Sequence, residues 1–455
     1  MLLIYVPKIT NRLGYTVNVV MRDLLHTAFS ITTDKETFAR HGGARLCYGP
    51  ERVGDATVPY LKSCRLLFET TIEEQDCRHF SYQGQPALFP VFGNDVALPF
   101  DPLAAIFYML SRYEEYLPHR TDEHGRFVAA ESLAYRHGFL RKAVVDRWAL
   151  MVKGIILQHY PDTVFHPRHY RVVATVDIDS AYCYRSKGLF RTVMGLLRDG
   201  LHRHDTDEVR HRLRVLRGKE HDPYDTFDYI IDQSRRHGSL VLLFFPLLGD
   251  YGIYDKPISY HNTRFRDLLQ HIADHAKMGI HTSYYCSDDP RKIEIETGRL
   301  SDIIHRPIVR NRFHFLRFRL PHDYRNLERN GIRHDYTMGY AEEPGFRCGT
   351  SSQVPFYDLS SDHETQLLLH PFVVMDTTLQ KYLHASPDEA VGLMHALIDE
   401  VREVGSTFSC IFHNQNLCER FGWEGWRRVY EDTLDYACRP QPHRRGRQHT
   451  QYTQH

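Results

Sequence analysis

Apolar residues recur along this chain in two rhythms. Short runs rich in β-branched and aromatic residues predict strands. They are "LLIYV", "ARLCYG" and "CRLLFET" early on, then "RVVATVDID", "GSLVLLFFPLLGD", "IHTSYY", "FHFLRFRL" and "STFSCIFHN". Between them the spacing turns helical. In "DPLAAIFYMLSRYEEYLP", Asp101 suits an N-cap, Pro102 suits the first turn and Pro118 follows the end. Leu103, Ile106, Phe107, Leu110 and Tyr113 fall on one face of that helix. "NTRFRDLLQHIADHAKMG", "RKIEIETGRLSDIIH" and "SPDEAVGLMHALIDEVREVG" are further helices, "RNLERNGIRHD" is one closed by Gly331, and 208–237 is charged and largely helical.

From about residue 170 onward strands and helices alternate, which predicts βα units around a parallel sheet. The polar, Pro- and His-rich stretch "QHYPDTVFHPRHYR" (158–171) separates that region from a first part of mixed short elements. The expectation is an α/β protein with a smaller N-terminal α/β domain over 1–165 and an open or closed (β/α) barrel over 166–438. The basic, Pro/Gly-interrupted end over 439–455 reads as a frayed tail.

Composition narrows the classes. Hydrophobic residues are 42% and charged residues 25%, as in globular proteins. Lys plus Arg equals Asp plus Glu at 57 each, so no overall field favours nucleic acid or a membrane surface. No apolar run approaches the roughly 18 residues of a membrane span, and "MLLIYVPKITNRLGY" reads as a first strand rather than a signal peptide. The nine cysteines are scattered without a CxxC pair, which argues against a zinc ribbon or disulfide framework and for a reduced, cytoplasmic setting. Thirty histidines beside 28 Tyr and 25 Phe suit surfaces for sugars or metals. GxSxG, GxGxxG and GxxxxGK are absent, and Cys410 reads as a buried residue rather than a nucleophile.

In parallel α/β folds reactive groups gather at the C-terminal ends of strands. Asp177 and Asp179 follow "VVATV", two apart and therefore on one face. Like charges that close need a cation or a shared proton. His281 follows "KMGI", His314 lies within "RFHFLRF" and His413 follows "TFSCIF". Together they suit a divalent cation held by Asp and His, with a spare carboxylate as general base. Asp250, Asp255, His261 and Asn262 follow a strand where a substrate loop would lie, and Asp376 marks a strand end or a turn cap. Tyr336, Met338, Tyr340 and Phe346 read as core rather than as a sugar platform. Arg112, Glu114 and Glu115 read as a solvated ion-pair cluster.

With these motifs in order, residues 170–415 resemble the polysaccharide deacetylase family, the NodB-homology carbohydrate esterases. "TVDIDS" resembles the family's first Asp motif, "LVLLFFPLLGD" its next strand, "HIADHAKMGIHTSYY" its His motif and "STFSCIFHN" its closing motif. The resemblance implies a distorted (β/α) barrel, with Asp177 as general base, Asp179 and His281 as metal ligands and His413 as general acid. Tyr285 stands where the family has its second ligand His, and His314 is the candidate replacement. The family's RxPxG motif is absent, so Arg312 or Arg347 is expected to position Asp177. The implied cofactor is a divalent metal ion, zinc, with cobalt, nickel or manganese as alternatives. The implied activity is hydrolytic removal of acetyl groups from an N-acetylated sugar or envelope-glycan precursor, with a small-molecule or oligosaccharide substrate and no nucleic-acid partner. Two alternatives stand beside it: an impaired barrel that binds a glycan or partner protein, and a C–N hydrolase acting on a non-sugar amide. The N-terminal region has no assigned role, and the oligomeric state is left open.

Overall fold

A computed structural model of the protein describes residues 1–188, 193–194 and 206–440. Of the expected basic tail, residues 441–455 lie outside the described residues. The first region is built on a parallel sheet of four strands, β1 (Leu2–Tyr5), β2 (Phe29–Thr32), β3 (Arg45–Gly49) and β4 (Tyr60–Lys62), in the order β2-β1-β3-β4. β1 is buried along its whole length, which is why "LLIYV" is apolar throughout rather than alternating. A hairpin of β5 (Phe80–Tyr82) and β6 (Gln85–Ala87) follows. "CRLLFET", expected as a strand, instead forms a single 3-10 turn at Leu66–Phe68.

The helix expected over 101–118 runs Pro102–Leu110, with the Asp101 carboxylate accepting from the backbone N–H groups of Leu103 and Ala104. All nine of its residues are buried, not one face. It is wedged against helices Asn11–Asn18 and Val144–His159 and against a strand of the second region. At Arg112 the backbone turns left-handed and a 3-10 turn carries Tyr113–Tyr116.

That turn overturns the expectation of a solvated ion cluster, because Arg112, Glu114 and Glu115 are buried. Glu115 accepts from Arg112 Nε at 2.7 Å and from Arg347 Nη2 at 2.8 Å, tying the first region to the second. Burial would raise the Glu115 carboxyl, but the Arg347 and Arg112 guanidinium groups outweigh it and hold it down to about 2. The stabilisation is therefore full above the ordinary carboxylate range near pH 4.5 and is lost as pH falls toward 2. Glu115→Ala leaves the Arg347 guanidinium buried without a carboxylate and Arg112 with Glu114 alone, and is expected to cost about 3–5 kcal/mol in urea unfolding at neutral pH.

The second region carries two five-stranded sheets. One is β15 (Val374–Met375), β16 (Thr407–His413), β7 (Arg171–Ile178), β8 (Leu240–Pro246) and β9 (Lys277–Met278), in that order and all parallel. The other is β10 (Ile280–Thr282), β11 (Arg310–Phe313), β12 (His334–Asp335), β14 (His363–Leu369) and β13 (Val354–Asp358), parallel except for the β13–β14 pair. Backbone contacts join the sheets on both sides. Leu247, just past β8, bridges to His281 of β10. On the far side Phe372 N–H donates to Met338 O and Val373 N–H to Ser409 O.

β11 is shorter than "FHFLRFRL" suggested, because the chain leaves the sheet at His314 and turns through Phe315 and Leu316, both at positive φ. Tyr336, Met338, Tyr340 and Phe346 are all buried, so they are core rather than an exposed platform. Among the described residues no helix is long and apolar enough to cross a membrane.

Candidate active site and metal centre

Strand pairing assembles the site. β16 sets His413 opposite Asp177 at the C-terminal end of β7, and Asp179 follows one residue beyond that strand. β10 sets His281 opposite Arg312 of β11, and His314 comes directly after β11. Asp177, Asp179, His281, His314 and His413 therefore line one cavity of about 300 Å³, whose lining also includes the apolar Phe315, Leu316 and Met375 and the cationic Arg126 and Lys381.

Asp179, His281 and His314 form a possible metal-binding group, with ligand atoms all within 4.8 Å of one another. Asp179 Oδ1 lies 3.4 Å from His281 Nε2 and 3.5 Å from His314 Nε2. It is buried and has no hydrogen-bond partner. The imidazoles are oriented from behind. His281 Nδ1 lies 2.9 Å from the Arg312 carbonyl oxygen, and His314 Nδ1 lies 2.7 Å from an Asp255 carboxylate oxygen. A carbonyl and a carboxylate can only accept, so each Nδ1 carries a hydrogen, and each Nε2, when unprotonated, is the atom that offers a lone pair to a cation.

The donor set fits a borderline divalent cation. Ligand atoms about 2.1 Å from such an ion at tetrahedral angles lie about 3.4 Å apart, which matches the separations of Asp179 Oδ1 from the two Nε2 atoms. A buried carboxylate oxygen without a hydrogen-bond partner, beside two imidazole Nε2 atoms, is a donor set that a cation would complete. Burial would raise the Asp179 carboxyl, but the neighbouring His314 and His413 rings outweigh it and hold it well below the usual range.

The other groups flank this trio. Arg312, fully buried, donates from Nη1 to Asp177 Oδ1 at 2.7 Å and from Nη2 to Thr175 Oγ1 at 2.8 Å. Arg347, the alternative for that role, is corrected: its Nε and Nη2 donate to Glu115 at 2.9 and 2.8 Å and its Nη1 to Gly339 O at 2.9 Å. Its guanidinium is consumed by the buried network described above. Tyr285 lies in a 3-10 turn, its ring packed beside Tyr254 and Tyr284, and does not line the cavity. Cys410 is buried within β16, as expected.

His413 Nε2 lies 3.8 Å from Asp179 Oδ2, while its Nδ1 lies 2.8 Å from Asp376 Oδ1. Asp376, read from sequence only as a strand end or cap, also accepts from the His413 N–H and from Asn416. Burial would lower the His413 pKa, but the Asp376 and Asp179 carboxylates outweigh it and push it up to about 9. The ion pair stabilises the fold fully below the unfolded value near 6.5 and is lost as pH rises through about 9. Asp376→Asn is expected to bring the His413 titration of the metal-free protein, followed by NMR, from about 9 back toward 6.5.

Sequence reasoning did not single out Gln415, which donates to Asp179 Oδ2 at 3.0 Å, or Arg126, a first-region residue on the cavity wall. Asp255 was placed in a substrate loop and instead supports His314 from a buried position. The segment "HNQN" carried the missed signal: Asn414, Gln415 and Asn416 each donate to a neighbouring strand end or its carboxylate.

Fold and site together define a mixed α/β protein with a carboxylate–imidazole cluster at the ends of parallel strands. A family model described as a family of unknown function, DUF7033, matches residues 2–161. No curated protein matches the chain. Among solved structures, a candidate polysaccharide deacetylase from Mycobacterium smegmatis is similar at 14% identity and a TM-score of 0.37, over 60% of this chain and 85% of that one. A mutant CE4 family pseudoenzyme with restored enzymatic activity is similar at 9% identity and TM-score 0.29, over 59% and 64% of the two chains. The polysaccharide deacetylase Bc1974 from Bacillus cereus is similar at 9% identity and TM-score 0.26, over 59% and 88%.

Proposed function

We propose that the protein is a metal-dependent amidohydrolase that removes acetyl from an N-acetylated sugar. The observation that carries this reading is one cavity holding the Asp179–His281–His314 cluster between an Arg-held Asp177 and an Asp-held His413. In the same reading residues 1–165 and 166–438 are separate domains, and the two sheets of the second are a distorted (β/α) barrel of the NodB-homology type.

Asp179, His281 and His314 would hold the cation, zinc by the nitrogen-rich donor set. When bound, it supplies a positive charge that acidifies a water and polarises a carbonyl. Arg312 engages Asp177 Oδ1 and leaves Oδ2, 3.6 Å from His281 Nε2, as the oxygen that would take a proton from a water in the cavity. Asp376 fixes His413 at Nδ1 and keeps it protonated at neutral pH, so that Nε2 can give a proton to the departing amine. Leu316 and Met375 offer an apolar wall against which an acetyl methyl packs.

The second imidazole of the cluster also bears on the impaired-barrel alternative. Its motive was Tyr285 at a ligand position, and His314 offers a nitrogen in its place. Metal-loaded protein should release acetate from a panel of N-acetylated sugars. Release from small amides alone would overturn the sugar assignment, and no release from either would overturn the hydrolytic one.

A further inference from the structure

At the end of β7 remote from Asp177, the first region, the connecting stretch 158–171 and the second region together line a cavity of about 330 Å³. Its lining includes Arg171, the first residue of β7, and Thr407, the first of β16. From 171 to 177 the strand rises about 3.3 Å per residue, which sets the two ends about 20 Å apart. The cavity is therefore separate from the one that holds the metal cluster. Arg22, Arg168 and Arg171 line it together with His26 and His169, and among the described residues Asp23 is the one carboxylate in the lining.

The three guanidinium groups differ in how they are held. Arg168 is fixed: its Nη2 donates to Asp146 Oδ1 at 2.5 Å and to Ser352 Oγ at 2.9 Å, while its Nη1 has no acceptor. Gly405, at φ +66, lets the chain leaving helix Pro387–Glu403 pass tightly against it, since a Cβ there would come within 3.1 Å of the Arg168 Cβ. Arg22 pairs with Asp23 through Nε at 2.7 Å and Nη2 at 2.9 Å. Arg171 makes neither an ion pair nor a side-chain hydrogen bond among the described residues. With Asp23 matching Arg22 and Asp146 matching Arg168, Arg171 is the uncompensated cation. An exposed guanidinium alone means little, but three around one concavity suit an oxyanion, because their forked N–H groups match the oxygens of a phosphate. Ser352, Ser406 and Thr407 add hydroxyls, and no Phe, Tyr or Trp is in the lining among the described residues. That lining favours a hydroxyl-rich phosphate ester over a nucleotide, whose base would seek an aromatic face.

We infer that this cavity binds a phosphate group, free or carried by a small hydroxylated molecule, with Arg168 as its fixed cation and Arg22 and Arg171 as the two that close on the ligand. Arg22 and His26 come from the first region and Thr407 from the second, so a bound anion ties the two regions together. The site does not depend on what the metal cluster catalyses.

Calorimetry on the full-length metal-loaded protein tests this, with inorganic phosphate and glucose 6-phosphate as probes and ionic strength matched by sodium chloride. Saturable binding with a Kd of about 1 mM or tighter is expected for at least one probe, with Tm rising as the site fills. The tighter of the two tells a free phosphate from a phosphate ester. An Arg22→Gln, Arg171→Gln double variant changes two exposed side chains and should weaken binding at least about tenfold, with Tm in the absence of phosphate unchanged. Arg171→Gln alone should weaken it at least about threefold. Asp179→Ala should leave binding intact, since only phosphate held at the metal centre would be lost there. No saturable binding of either probe up to about 10 mM, affinity unmoved by the double variant, or binding lost in Asp179→Ala would overturn the site.

Discussion

Asp177→Asn is expected to lower acetate release by about 10²- to 10⁴-fold while leaving metal content unchanged. The amide nearly preserves the shape of the carboxylate, so Arg312 keeps an oxygen acceptor at the position now occupied by Oδ1, 2.7 Å away. What is lost is the ability to take a proton at Oδ2. Asp177 is not among the residues whose ligand atoms cluster around Asp179 Oδ1, so the cation should remain. Acetate assays and elemental analysis on the same preparation check both halves of the expectation. Full activity in this variant would remove Asp177 from the chemistry, and loss of metal would mean that it is a ligand instead.

The parts of this account that were legible in the sequence are those written in local patterns. The apolar strand "VVATV" placed Asp177 and Asp179 at a strand end, and "TFSCIF" did the same for His413, because strand and side chain are neighbours in sequence. The capping chemistry at Asp101 was equally local. What could not be read was set by contacts between distant segments. Nothing near Glu115 announces Arg347, 232 positions away, so a buried bridge looked like a solvated cluster. Asp255 and His314 are 59 apart, and only folding turns a loop acid into the support of an imidazole. The choice between Arg312 and Arg347 was of this kind too. It depended on β11 lying beside β10 and facing β7, which periodicity does not encode. The departure of the chain from β11 at His314 was hidden for a further reason: Phe315 and Leu316 adopt positive φ without being glycine, so no composition signal marks the turn.

The second large effect concerns the cation itself. Asp179→Ala removes the one carboxylate of the cluster together with its orphaned oxygen, and His314→Ala removes the imidazole that Asp255 orients. Each is expected to abolish stoichiometric metal binding and, with it, acetate release, since two remaining donors leave the ion mostly to solvent. Tyr285→Phe should change neither, because Tyr285 lies outside the cavity.

The central claim is that His314 completes the metal site in place of the residue at 285. Metal content by mass spectrometry, measured on purified wild type and on His314→Ala, tests it most directly. The account predicts stoichiometric divalent metal in the wild type and its loss in His314→Ala. Full metal retained in His314→Ala, or none in the wild type after incubation with zinc, would contradict it.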